Sequence, residues 1–171
     1  MMAVPPCAWT PAVGYDAAMS AADPCPEDVA AVTAWFQTLA DHVQAVDFAG
    51  ARPIFAEDMI AFGTFTDFMT GRDAAERAQW RNVWPHIDRF RWRPDIRVLV
   101  SPDRLQAVGM AVFDSTGYRE DGSEYDRPGR ATVVFERASA GARFVARHTH
   151  MSLFRDVPTR SFKSKPERGG P

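Results

Sequence analysis

His148 and His150 stand two residues apart in the run Phe144 to Phe154, whose alternation reads as a strand. Two imidazoles at i and i+2 of a strand point to one side, here together with Phe144, Ala146 and Ser152. Such a pair can hold a metal, contact a ligand or act as a general base near neutrality, or simply hydrogen-bond within a sheet or a subunit interface. Metal chemistry needs a third ligand, and no acidic residue follows within four positions, so neither a metal nor another cofactor is expected. Cys7 and Cys25 form no C-x-x-C pair and have no neighbouring His; they read as free thiols in a reducing, cytoplasmic setting. Arg89, Arg91, Arg93 and Arg97 alternate with Phe90 and Trp92. Single-strand nucleic-acid binders put cations and aromatics on one surface, whereas strict alternation sends them to opposite faces, so a charged outer face over an aromatic core is the better reading.

The elements that must position these residues follow from length and pattern. The 171 residues, 46% hydrophobic and 25% charged with net charge -2, fit one globular domain and supply no basic field for nucleic acid. The charge is unevenly spread: Asp16, Asp23, Glu27, Asp28, Asp41 and Asp47 precede Arg52, the first cation. That acidic quarter should meet basic surface. Residues 1–25 are rich in Ala and Pro and read as an irregular arm with no leader-like or membrane-spanning run. After Pro26, Val29, Val32, Phe36, Leu39, Val43 and Val46 recur at helical spacing to about residue 46. A short second helix over Phe48 to Phe55 and a strand from Met59 to Phe65 follow. Asp73 with Glu76 has the pattern of a capping box opening a third helix that Pro85 ends. Strands are then expected at Arg89–Arg93, Ile96–Val100, Leu105–Phe113, Ala131–Glu136 and Phe144–Phe154, followed by a loose tail over 157–171. Helices first and an antiparallel meander after make an α+β domain over residues 26–156.

This order resembles the NTF2-like (SnoaL-like, cystatin-like) superfamily, and within it the association domain of calcium/calmodulin-dependent protein kinase II and SnoaL-like proteins. The matching stretches are Asp47-Phe48, Met59-Ile60-Ala61-Phe62, Asn82-Val83-Trp84 and His148-Thr149-His150-Met151-Ser152. The resemblance implies a cone in which N-terminal helices close a curved antiparallel sheet around a pocket, with the other sheet face pairing subunits as a homodimer. Ketosteroid-isomerising relatives use an Asp whose position falls near Gly63, so their proton shuttle does not carry over, and Asp58 and Asp67 read as solvated loop acids. The association domain's pocket arginines match Val112, Val133 and Met151, which implies an apolar cavity with Trp84 at its mouth. Polyketide-cyclase relatives place one acid/base Asp in the pocket, which makes Asp114 the first candidate for a catalytic carboxylate, with His148 the second. A turn acid at the strand end is the competing reading of Asp114. Arg147, His150, Tyr118 and Asp126 are candidate hydrogen-bonding groups. Two functions stay open: an apolar small molecule bound in the cone, with cofactor-free isomerase or cyclase chemistry, or a non-catalytic ligand-binding or oligomerisation module.

Overall fold

The computed structural model describes residues 24–63 and 67–168. Most of the N-terminal arm, and the last residues of the strand expected to reach Phe65, lie outside them. Helix α1 (Pro26–Ala45) starts with proline at N1 and acids in its first turn. Its stripe of Val32, Trp35, Phe36, Leu39, Ala40 and Val43 is buried. A short helix α2 (Phe48–Ala51) is capped by the Asp47 side chain, which accepts from the Gly50 N–H at 2.8 Å. It leads through a 3-10 turn (Arg52–Ile54) into β1 (Phe55–Phe62) and the short β2 (Phe68–Thr70).

A composite helix over 72–86 follows, made of an α turn (Arg72–Ala75), a π turn (Glu76–Trp80), an α turn (Arg81–Val83) and a 3-10 turn (Trp84–His86). The expected capping box is absent. Gly71, at φ 89°, occupies the N-cap, while Asp73 and Glu76 both bind Arg52, and Glu76 also binds Arg81. Guanidinium donors give these carboxylates charge-assisted bonds that a neutral backbone N–H cannot match.

The remaining strands are β3 (Asp88–Trp92), β4 (Arg97–Val100), β5 (Gln106–Tyr118), β6 (Glu124–Asp126), β7 (Gly129–Glu136) and β8 (Val145–Leu153). They form one sheet of order β2-β1-β8-β7-β5-β3, with β4 and β6 also paired to β5. The sheet is mixed, because β1 runs parallel to β8 while the other pairings are antiparallel. The α+β class stands; the purely antiparallel expectation is corrected, since the chain returns to β1 only after the whole meander is laid down.

The phase of the sheet is set at Gly109. A Cβ there would lie 2.5 Å from the Phe36 ring, so α1 approaches β5 closely only because the side chain is missing. Trp35 packs edge-on against Phe55 and Phe135, and Phe36 against Trp92. Burying each such ring contributes about 1.5–3 kcal/mol. Gly109, Ala111 and Phe113 therefore face the helices, and Val108, Met110, Val112 and Asp114 face away.

The acidic helix start meets its basic partner within the same chain. Asp28, 1% exposed, accepts from Arg104 at 2.7 and 3.0 Å and from Arg137 at 2.7 Å, tying α1 to the turn before β5 and to the end of β7. Cys25 is disulfide-bonded, which corrects the reading of free thiols. Cys7 lies outside the described residues. The cytoplasmic expectation, which leaned on free thiols, loses that support. Among the described residues no helix is long and apolar enough to cross a membrane.

Burial opposes ionisation of Asp28, but the two guanidiniums overcome it and hold the carboxyl below the ordinary 3.8. A carboxyl depressed in the folded state stabilises fully above that ordinary value, and the contribution is lost as pH falls through the lower folded value. Asp28→Asn leaves Arg137 buried without a counter-charge and is expected to cost about 3–5 kcal/mol in urea unfolding at pH 7. It should also flatten the fall in stability below pH 4. A loss under about 1 kcal/mol would show the pair to be dispensable.

Candidate functional site

The helix-facing side of the sheet and the composite helix enclose a cavity of about 30 Å³. Trp80, Trp84, Ile87, Phe90, Phe113 and Met151 supply most of its apolar wall, with Leu39, Val43, Phe55 and Val83 completing it. Its polar lining is Gln79, Thr149 and Arg127. The volume suits about two water molecules, on a scale where about 150 Å³ takes up a benzene ring. The π turn shapes this wall: its extra residue carries both Gln79 and Trp80 inward, and Trp80 stacks on Trp84 at 5.1 Å and 11°.

Two of the expected ligand residues, Trp84 and Met151, line the cavity. Val133 faces the helices but is sealed in the core, paired between Gly109 and Thr149. The others lie elsewhere. Val112 pairs with Arg130 on the face away from the helices, because Phe113 takes the inward position. Asp114 sits on that same outer face between Arg93, at 2.9 Å, and Arg91, at 3.5 Å. The Arg93 hydrogen bonds outweigh burial and hold its carboxyl below the ordinary value, opposite to the upward shift a general acid needs. These ion pairs, with Arg89 on Glu124 and Arg97 on Asp95, also spend the arginine stripe inside its own chain.

A bulge displaces the histidine pair. Phe135 pairs with Ala146 but Val134 pairs with His148, so Arg147 is an extra residue that reverses the alternation. Ala146 therefore faces the helices, while His148 and His150 face outward rather than sharing the side of Ala146. His148 Nδ1 donates to the Ile60 carbonyl at 2.9 Å, and its ring meets Phe62 edge-on at 5.5 Å; the His150 ring lies 5.6 Å from the same Phe62. Arg147 binds Asp58 and, at 3.3 Å, Glu136. Among the residues lining the cavity there is no Asp, Glu or His to move a proton.

The residue that sequence reasoning passed over is Arg127. It sits between β6 and β7, where Pro128 interrupts the ladder. Its backbone N–H donates to the Ser115 carbonyl at 2.8 Å, and the Ser115 hydroxyl donates to the Arg127 carbonyl at 2.8 Å. The proline break after it was the available signal, since a strand that loses its ladder there can turn a long side chain inward.

The C-terminal segment lies without regular structure over the end of the composite helix, β5 and β6. Ser161 Oγ donates to the His86 carbonyl, the Lys165 N–H donates to the Pro85 carbonyl at 2.7 Å, and Tyr125 Oη donates to the Arg160 carbonyl at 2.8 Å. Asp88 anchors the segment by accepting from Lys163 at 2.5 Å and Tyr118 Oη at 2.5 Å, with Lys165 at 3.2 Å. Although burial pushes the Asp88 carboxyl up, Lys163, Tyr118 and Lys165 prevail and hold it far below the usual range. Tyr118 itself is pushed up by burial and by Asp88.

No family model matches the sequence, and no curated protein does. Solved structures do match in fold. A ketosteroid isomerase-like protein from Erwinia carotovora atroseptica aligns over 78% of this chain and 100% of its own, with TM-score 0.64 and 13% identity. An NTF2-like superfamily protein from Salmonella enterica aligns over 78% of this chain and 95% of its own, with TM-score 0.62 and 14% identity. The association domain of CaMKII from C. elegans aligns over 74% of this chain and 93% of its own, with TM-score 0.54 and 17% identity. The chain has the NTF2-like fold.

Asp88 is the carboxylate that pairs with both lysines of this C-terminal strap. Asp88→Asn is expected to release it, with at least about a tenfold faster amide exchange at Phe162 and Lys165, whose N–H groups bond to Tyr118 and Pro85. Unchanged protection at both amides would show that Asp88 is not the anchor.

Proposed function

We propose that this chain is a non-catalytic assembly module whose outer sheet face seats a second copy of itself. The observation that carries this reading is the composition of that face. Register places Leu99, Val108, Val134, His148 and Ile60 in one row across five strands, and Met110, Thr132, His150, Phe62 and Phe68 in the next. Phe68 is 70% exposed and Leu99 55%. Ion pairs of Asp114 with Arg91 and Arg93 and of Arg147 with Glu136 flank these rows.

An apolar centre with a polar rim is the pattern of a protein interface, and an apolar band spanning a sheet is otherwise a liability in water. The same band on two copies is self-complementary about a two-fold axis, which gives a closed homodimer. The fold-level likeness to a CaMKII association domain supports assembly by analogy only.

A second reading, a small molecule held in the cone, is favoured by the aromatic cavity wall. Isomerase or cyclase chemistry there has little support, because Asp114 and His148 lie across the sheet from the cavity.

Sedimentation velocity across micromolar concentrations is expected to show a species heavier than the 19.0 kDa monomer. Val134→Glu puts an unpaired carboxylate at the centre of the outer face. It should raise the dissociation constant at least about a hundredfold while leaving the far-ultraviolet circular dichroism unchanged. A wild-type monomer throughout, or a variant that assembles like the wild type, would overturn the assembly reading.

A further inference from the structure

Two groups on the outer face have no role in apolar packing, His148 and His150. The bulge at Arg147 turns both imidazoles outward, and both rings meet the Phe62 ring edge-on, at 5.5 and 5.6 Å. His148 Nδ1 lies 2.9 Å from the Ile60 carbonyl. A carbonyl only accepts, so Nδ1 carries the ring proton and Nε2 keeps its lone pair. A backbone carbonyl orients a metal-binding histidine in the same way: it fixes the tautomer, holds the ring and raises the basicity of the other nitrogen. His150 makes no hydrogen bond among the described residues, and its neutral ring likewise keeps one nitrogen lone pair.

Within one copy the pair is incomplete. No group of three or more His, Cys, Asp or Glu able to hold a metal ion occurs among the described residues, and a zinc site takes three or four protein ligands. Their position in the face supplies the rest. His150 is the middle residue of the row Met110, Thr132, His150, Phe62 and Phe68, and His148 stands beside Val134, the middle of the row Leu99, Val108, Val134, His148 and Ile60. Both therefore lie next to the point where a two-fold axis relating two such faces passes. Facing sheets pack about 10 Å apart. Imidazoles reaching from opposite sides close that gap around one ion, with Zn–N bonds of about 2.0–2.1 Å, and the axis turns two nitrogen donors into four. The flanking charges set no field against a cation, since Asp58 and Glu136 share Arg147 beside the first row and Arg130 bonds Ser152 beyond the second, two acids against two arginines.

We propose that the assembled outer face binds one zinc-class divalent cation between two copies, through His148 and His150 of each. The proposal rests on the assembly reading and adds a ligand to it, so that affinity for a second copy rises with zinc. All-imidazole donors suit zinc, nickel or copper, whereas magnesium and calcium take oxygen.

Zinc chloride titrated into the untagged full chain, first freed of metal by a chelator, tests the proposal, with sedimentation velocity alongside and magnesium and calcium chloride as controls. One zinc ion per two chains is expected, with the dimer dissociation constant lowered at least about tenfold and no effect of either control ion. His148→Gln and His150→Gln should each weaken zinc binding at least about tenfold and leave the metal-free dimer as it is in the wild type. The wild-type stoichiometry stands without the variants, so the test holds even if one of them fails to fold. A dimer that takes up no zinc, that takes one ion per chain, or whose two variants bind zinc like the wild type overturns the site and leaves the assembly reading standing. A chain that stays monomeric with and without zinc overturns both.

Discussion

A strand offers each side chain one of two faces, and in this chain the face is decided where Phe36 lies against Gly109. That contact fixes the phase of β5, the phase of β5 fixes β7 through eight paired positions, and β7 fixes β8 on either side of its bulge. Everything functional follows from it. Phe113 and Met151 go to the cavity, while Val112, Asp114, His148 and His150 go to the surface. A shift of β5 by one residue would turn Val112 and Asp114 toward the helices and Phe113 away from them.

The treatment of charge follows the same division. On the outer face, acids and arginines meet in short range and remain partly hydrated, where each pair adds little to stability. Inside, burial raises the stakes, and Asp28 and Glu76 each recruit two guanidiniums. Arg127, buried and in no ion pair among the described residues, departs from this pattern, and it does so where the core has its cavity. The aromatic stacking of Trp80 on Trp84 and the π turn that carries Gln79 and Trp80 inward form part of the same wall.

The helical spacing from Val29 to Val46 and the alternating strands were legible because they are repeated signals, each position confirming the next. The α+β class and the likeness in element order followed from them. The parallel pairing of β1 with β8 was not legible, since pairing partners leave no local trace. The histidine pair was misplaced by a single bulged residue, Arg147, and nothing in the sequence around it marks an extra residue. Asp114 was read as a strand-end acid, whereas β5 runs on to Tyr118 and Asp114 lies inside it, opposite Arg91 and ion-paired with Arg93, whose alternation with Phe90 and Trp92 already sent it outward. Arg127 was hidden because a lone arginine before a proline is ordinary in a loop, and only the closed wall around it makes it unusual.

A crystal structure of the full chain tests the central claim most directly. The account predicts two copies related by a two-fold axis with the rows through Val108, Val134 and Ile60 buried between their sheets, and Phe113 and Met151 inside each copy. A lattice in which that face meets only solvent, or a β5 whose Val112 and Asp114 point toward α1, would contradict it.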